Sequence, residues 1–292
     1  MDIEKEKKAI ARLQMFAPNE NEKPYYLAYS GGKDSDTIKI LAQLAGVRYE
    51  AVNNHTTVDA PETVYYIRSQ KDVKVKYPEK TMWQLIVEKM MPPTRLIRYC
   101  CAELKERGGQ GRRVVTGVRA AESVKRKENA ALVKILSKPK TTLKILEEMG
   151  IQDYEISAQG GIMLNNDNDE TRDLVEDCYR QHKTVINPII DWTDDDVWEF
   201  LHHYGCEANP LYQCGFKRIG CIGCPMASKK RYTEFQMYPK YKLNYIKAFD
   251  RMLERRRERG LESYGWKTGK DVYKWWMNED VNQLSFFDGE DL

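Results

Sequence analysis

The sequence predicts an α/β fold: a doubly wound, mostly parallel sheet followed by a helical C-terminal extension. Two observations carry this. Strand-like runs alternate with helical patterns along most of the 292 residues, the order that builds a parallel sheet covered on both faces. Three segments that follow strands, at 30–35, 53–61 and 117–123, carry glycine, charged or hydroxyl groups close to helix starts. In an open parallel sheet such segments share the edge at which ligands bind.

The elements follow in order. Residues 3–16 set Ile3, Ile10, Leu13, Met15 and Phe16 among Lys and Glu, the pattern of an amphipathic helix. A polar linker, 19–23, leads into the aromatic run 25–29, read as a buried strand. Ile38, Leu41 and Leu44 then recur at helical spacing. Residues 47–52 alternate as a second strand, and 60–70 form a helix with Pro61 in its first turn. A strand at 73–75 and a helix at 82–90 make another unit. Arg98-Tyr99-Cys100-Cys101 precedes a short helix, and the strand 112–118 runs into Arg119. The stretch 124–182 is polar and less regular, and reads as an insertion. After a strand at 184–190, Thr193 caps a helix over 193–203 whose first turn holds Asp194–Asp196. A Gly-, Cys- and Pro-rich loop spans 206–226 and a long helix spans 238–259. The expected division is an α/β domain at 1–226, carrying the insertion, and a helical extension with tail at 227–292.

Composition narrows the classes. There are 47 Lys and Arg against 44 Asp and Glu, and a net charge of +3 is too small to imply nucleic-acid binding from bulk electrostatics. Local basic runs stand at 125–127, 229–231 and 255–257, and Lys242, Lys247, Arg251, Arg255 and Arg256 could form a charged helix face. No signal-peptide pattern opens the sequence and no apolar run nears transmembrane length, so a soluble, cytoplasmic protein is expected. Seven cysteines in that compartment point to metal or redox chemistry rather than disulfides.

The string Ser30-Gly31-Gly32-Lys33-Asp34-Ser35 sits between a strand and a helix. Its glycines leave backbone N–H groups unobstructed, the new helix directs its positive dipole end into the loop, and Lys33 adds a full charge. Such a loop suits a phosphate-bearing ligand. A Walker A loop would need Ser or Thr after the lysine, and Asp34 stands there. The string instead resembles the PP-loop of N-type ATP pyrophosphatases, which split ATP between its α and β phosphates.

Further motifs resemble the phosphoadenosine phosphosulfate (PAPS) reductase family within that superfamily, whose fold is adenine nucleotide alpha hydrolase-like. Thr57-Val-Asp-Ala-Pro-Glu-Thr63 is similar to the family's acidic loop. Thr116-Gly-Val-Arg-Ala-Ala-Glu-Ser123 is similar to its nucleotide-contacting segment. Asn187–Trp198 and Asn209-Pro-Leu-Tyr212 complete the set. The resemblance implies that Ser30, Gly31, Gly32, Lys33 and Ser35 hold the phosphates of ATP (or of PAPS or APS), with Asp34 positioning Mg²⁺. It implies that Gly117 and Arg119 meet the α phosphate and that Asp59 and Glu122 contact ribose or metal. Lys33, Asp34 and Arg119 are the expected catalytic residues.

The cysteines form two groups. Cys221-Ile-Gly-Cys224 is a CxxC with Cys214 upstream, and Cys100-Cys101 is a distant pair. Thiolates at this spacing suit Zn²⁺ or an iron–sulfur cluster. Family members with a 4Fe-4S cluster use such a pair and such a CxxC, whereas the DndC-type component of DNA phosphorothioation systems resembles one early cysteine and three late ones. Cys100, Cys221 and Cys224 are therefore expected ligands, with Cys101 or Cys214 as the fourth. Cys178 and Cys206 read as inert thiols. Sulfonucleotide reductases carry a nucleophilic cysteine after the CxxC, and none follows Cys224 in this sequence. The resemblance thus implies ATP-dependent sulfur transfer onto DNA backbone or a tRNA base, supplied by a cysteine desulfurase or other sulfur donor. PAPS or APS reduction, or a non-catalytic ATP-sensing subunit, are the alternatives. Gln283-Leu-Ser-Phe-Phe287 resembles the peptide that docks bacterial proteins onto the DNA sliding clamp.

Overall fold

The computed structural model describes residues 2–106, 108–122, 131–136, 154–156, 162–164, 183–227 and 229–277. The basic run 125–127, Cys178 and the segment 283–287 lie outside the described residues. The chain divides into two compact units that are not consecutive stretches. Unit 1 comprises Met1–Asn54, Pro61–Lys76 and Gly108–Ile219, and unit 2 comprises His55–Ala60, Tyr77–Arg107 and Gly220–Leu292. The chain thus enters unit 2 for the last time at Gly220, a little before the boundary expected at 226.

Unit 1 is built on one eight-stranded sheet. In chain order its strands are β1 (Tyr25–Ala28), β2 (Tyr49–Asn54), β3 (Val73–Lys76), β4 (Arg113–Val115), β5 (Val133–Leu136), β6 (Glu155–Ile156), β7 (Ile162–Leu164) and β8 (Lys183–Ile186). Their spatial order is β3-β2-β1-β4-β8-β5-β7-β6. The first five pair in parallel. The last three pair antiparallel. The five parallel strands, with helices between them, make the doubly wound α/β sheet expected. The stretch read as an irregular insertion supplies the three antiparallel strands, which extend the sheet at one side.

Burial follows from sequence. β1 is nearly all buried, as apolar strands of parallel sheets are. Helix α1 (Ile3–Met15) begins at Asp2, whose carboxylate accepts from the amides of Glu4 and Lys5. Its apolar face joins Tyr25, Leu27, Ile38, Leu41, Trp192 and Phe200 in the main core. Helices α2 (Lys33–Leu44) and α3 (Pro61–Ser69) follow β1 and β2.

Unit 2 is helical. It contains α4 (Met82–Lys89), α5 (Tyr99–Leu104), α7 (Lys230–Met237), α8 (Pro239–Glu258) and α9 (Gly269–Met277), while α6 (Asp194–His203) belongs to unit 1. The cysteine pair lies within α5, not ahead of it. An aromatic cluster of Phe235, Tyr245, Phe249 and Trp276 fills the interior, with ring centroids 4.7–6.0 Å apart. Two arginines of the expected basic face are internal: Arg256 donates to the carbonyls of Met90 and Glu262, and Arg231 donates to that of Trp276 and stacks over its ring. Aliphatic stems and planar guanidinium groups make arginine burial tolerable where carbonyls or an aromatic ring meet the charged end. Among the described residues no helix is long and apolar enough to cross a membrane.

Gly223 sits at φ +74° in the middle of this packing, and a Cβ there would lie 2.6 Å from Phe235 and 3.0 Å from Tyr245. Gly223→Ala is expected to lower stability by about 2–4 kcal/mol, combining left-handed backbone strain with overpacking. A urea midpoint equal to wild type would show that the cluster yields at no cost.

Candidate functional site

The parallel strands β1 and β4 are neighbours, so the loops that leave their C-terminal ends lie side by side. The first is Ser30–Ser35. Gly31 adopts φ +73°, and a Cβ there would meet Ile67 at 2.7 Å, so a side chain at this position would both strain the backbone and clash. Gly32 caps α2, exchanging hydrogen bonds with Ser35: its amide donates to Oγ at 3.1 Å and its carbonyl accepts from Oγ at 2.7 Å. The Ser30 hydroxyl is 3.4 Å from that of Ser35. Asn209, fully buried, fastens the loop by donating to the Gly31 carbonyl and to Thr63 Oγ1. Tyr212 then reaches the helix start, where its hydroxyl accepts the Lys33 amide at 2.9 Å.

The second loop supplies Gly117 and Arg119. A Cβ on Gly117 would come within 2.8 Å of the Asp34 carbonyl, so glycine permits the two loops to touch. Arg119 is buried and donates from Nε to Asp34 Oδ1 at 2.7 Å and from Nη2 to Asp194 Oδ1 at 2.5 Å. Lys33 Nζ lies 3.2 Å from Asp34 Oδ2 and 3.1 Å from Asp194 Oδ1. Two cations and two carboxylates thus interlock at the N-terminus of α2. Burial pushes the Asp194 carboxyl up, but the hydrogen bonds from Lys33 and Arg119 outweigh it and hold the group below the usual range. Asp194 and Tyr212 are functional candidates that the sequence placed only in motifs. The first reads as a helix first-turn acid, and nothing in its spacing reveals that it faces Lys33. Glu122 lies 3.7 Å from Arg218. It is on the same loop as Arg119 but outside that cluster.

Asp59 belongs to unit 2. Its carboxylate accepts the Thr56 amide at 2.7 Å and lies 3.1 Å from His55 Nδ1, and its backbone bridges to Cys221. Burial opposes its ionisation, yet these hydrogen bonds hold its pKa low.

Unit 2 also holds a cavity whose walls include Cys100, Cys101, Cys221 and Cys224, with Thr56, Lys105 and Tyr245. Tyr245 donates to the Ile222 carbonyl and Ile222 to that of Val58, which fixes the CxxC turn. Cys221 is buried and its thiol, 3.4 Å from Thr56 Oγ1, is pushed up to about 11 by burial, with the Lys105 cation opposing. A hydrogen bond from Cys100 draws Cys101 towards thiolate, helped by Arg98 Nη2 at 3.1 Å, and Cys100 as donor is raised. Cys214 is exposed and belongs to unit 1. Among the described residues no three His, Cys, Asp or Glu side chains are grouped so as to hold a metal ion. The four thiols share a wall, not a single centre.

Strand, glycine loop and helix, with paired cations at the loop, define an α/β nucleotide-binding domain. The chain belongs to the phosphoadenosine phosphosulfate reductase domain family, whose profile matches residues 24–227. It is 27% identical to an uncharacterized protein of Methanocaldococcus jannaschii over 81% of this chain and 51% of that protein. The chain therefore spans about half the length of that curated relative. Over 42 residues it is 43% identical to the adenosine 5'-phosphosulfate reductase of Allochromatium vinosum, covering 14% of this chain and 16% of the reductase. Among solved structures, the U34-tRNA thiolase NcsA from Methanococcus maripaludis with its [4Fe-4S] cluster aligns at a TM-score of 0.39 and 10% identity, over 89% of this chain and 82% of that one.

One buried acid of α2 gives a test of the local electrostatics. Asp36 accepts the Tyr29 hydroxyl at 2.5 Å, and burial raises its carboxyl to about 6 despite that bond. A raised folded-state pKa contributes stability that is present below about pH 4 and lost as pH rises through about 6. Asp36→Asn is expected to remove this slope, worth up to roughly 3 kcal/mol. Chemical denaturation from pH 4 to 7 checks it, and parallel pH profiles for both proteins would contradict it.

Proposed function

We propose that the protein cleaves ATP between its α and β phosphates at the Ser30–Ser35 loop and uses that activation to transfer sulfur onto a nucleic acid. The observation that carries this reading is the convergence of Lys33 and Arg119, from two neighbouring strand ends, on one pair of carboxylates at a helix N-terminus. Two cations beside a glycine loop at a helix N-terminus meet the needs of a pyrophosphate leaving group and of the α phosphate.

In this mechanism the triphosphate takes over the bonds that Lys33 and Arg119 make to Asp34 and Asp194. Lys33, Ser30, Ser35 and the amides of Gly31 and Gly32 hold the β and γ phosphates. Arg119, brought close by Gly117, balances charge on the α phosphate. Asp34 is the residue to hold Mg²⁺, which would neutralise the departing pyrophosphate. An oxygen of the acceptor attacks the α phosphorus, forming an adenylated acceptor and releasing pyrophosphate. A sulfur nucleophile then displaces AMP, so sulfur replaces the activated oxygen. DNA phosphorothioation or tRNA thiolation both have this balance. The sulfur comes from a donor such as a cysteine desulfurase.

The cavity thiols Cys100, Cys101, Cys221 and Cys224 fit a 4Fe-4S cluster by donor chemistry: four sulfurs, no histidine, and a flanking cation in Lys105. A cubane takes one thiolate per iron, so its ligands need not meet at one centre as they must around zinc. With one thiolate on each iron, such a cluster would hold the CxxC turn and α5 in place. Cys214 is left out of the proposed set. A second reading, reduction of a sulfonucleotide, is favoured by the local match to adenosine 5'-phosphosulfate reductase, and sulfite release from such a nucleotide would select it.

Lys33→Ala is expected to lower conversion of ATP to AMP and pyrophosphate by at least about 100-fold while the unfolding midpoint is retained. Wild-type turnover in that variant would remove the loop from the reaction. Protein purified without oxygen is expected to contain about four irons per chain. Cys221→Ser should lose them and Cys214→Ser should keep them. A colourless protein with one tightly held zinc would overturn the cluster assignment.

A further inference from the structure

Away from the loop and the thiols, unit 2 carries an open groove of about 490 Å³ lined by Trp83, Asn244, Lys247, Asp250 and Arg251. We propose that it is a docking site for single-stranded nucleic acid, with an unpaired base stacked on Trp83 and adjacent phosphates on Lys247 and Arg251.

The geometry points there from several sides. Asn244, Lys247 and Arg251 recur at i, i+3 and i+7 on α8, so they form one line along the helix. All three side chains are exposed. Among the described residues none of them makes a side-chain hydrogen bond or ion pair. Cations left without partners beside a cavity are free to meet phosphates, and their neutralisation releases counterions. Trp83, on α4, is half-buried and held edge-on against Tyr245 with centroids 4.9 Å apart at 80°. That contact keeps the indole in place, so a stacking base meets a fixed platform. Asp250 accepts the Gly269 amide at 2.5 Å and so stands oriented at the groove edge. A carboxylate there suits the exocyclic amine of a base. A line of cations alone would fit any polyanion, whereas a tryptophan beside them suits a polymer that alternates phosphates with flat apolar rings. Unpaired rather than duplex structure is required, because a base within a duplex exposes no face for stacking.

This site deepens the proposed function and rests on its reading that the sulfur acceptor is a nucleic acid. It would hold the acceptor strand on unit 2 independently of ATP. The test is equilibrium binding of fluorescent twelve-residue oligo-dT and oligo-U strands to the full chain without nucleotide, across a salt series, with poly-glutamate as competitor. Wild type is expected to bind at least one strand, with tryptophan quenching. Trp83→Ala should weaken binding by roughly 5- to 150-fold. The double variant Lys247→Ala/Arg251→Ala, which changes only exposed side chains, should weaken it and reduce the slope of log K against log salt by about 1.4. Preference between the two strands assigns DNA or RNA. No binding at low salt, equal binding by wild type and the double variant, or displacement by poly-glutamate as effective as by unlabelled strand would overturn the site. ATP turnover is read separately. Strand binding without turnover would overturn the proposed reaction and leave the groove standing, and turnover without strand binding would do the reverse.

Discussion

The interlocked pairs among Lys33, Arg119, Asp34 and Asp194 organise unit 1. Each cation contacts both carboxylates, so no member can move without unpairing two partners. Lys33 and Arg119 are the buried members and Asp194 is largely exposed, so removing a carboxylate strands a buried cation, whereas removing Lys33 leaves both carboxylates with Arg119 and with water. The arrangement joins the N-terminus of α2, the loop after β4 and the N-terminus of α6, three segments set 85 and 75 residues apart along the chain. Asn209 and Tyr212 add a fourth, anchoring the turn at 209–212 to the same helix start. What the sheet contributes is placement: parallel neighbours deliver both cation-bearing loops to one edge.

Unit 2 depends on a different kind of interaction. Its interior is a cluster of aromatic rings around a glycine turn, and the thiols of that turn are positioned by hydrogen bonds from the Ile222 and Gly223 amides and from the Tyr245 hydroxyl. Glu234 accepts the Gly223 amide at 2.8 Å, and burial raises its carboxyl against that bond. Lys105 serves the cavity electrostatically, its own pKa raised chiefly by the nearby Cys221 thiol. Charge therefore fixes the nucleotide loop, and ring packing with backbone hydrogen bonding fixes the thiols.

Much of this was legible in sequence because it is local. The glycine loop, the cap at Thr193, the strand at 25–28 and the long helix after Pro239 each arise from neighbouring residues. Assignments that required knowing a distant partner fared differently. Asp59 lies in an acidic motif, yet His55 and Thr56 fold it in beside Cys221. Arg231 and Arg256 belong to basic runs, yet carbonyls of Trp276, Met90 and Glu262 draw them inside. Cys101 and Cys214 are equally plausible by spacing, and only the cavity wall shows that the first accompanies Cys100, Cys221 and Cys224. The antiparallel strands at 133–136, 155–156 and 162–164 are too short and too polar in context to announce themselves; the pairing of the first with β8, and of the others in turn beyond it, supplies what their sequence lacks. Asp194 shows the same limit, since a first-turn acid and a partner of Lys33 look identical in one dimension.

The interleaving of the two units sets an order of assembly. Unit 2 draws on chain around residue 57, around residue 92 and beyond residue 220, with β1 and β2 made before the first visit, β3 before the second and β4 and β8 before the third. Closing a loop from Cys101 to Cys221 costs more entropy than the short βα connections do, and a chain emerging from the ribosome presents its N-terminal elements first. The helix bearing Cys100 and Cys101 must therefore wait, its thiols unpartnered, until more than a hundred further residues have been made. Until then the four-thiol wall of the cavity does not exist, so its completion is a late event in synthesis of the chain.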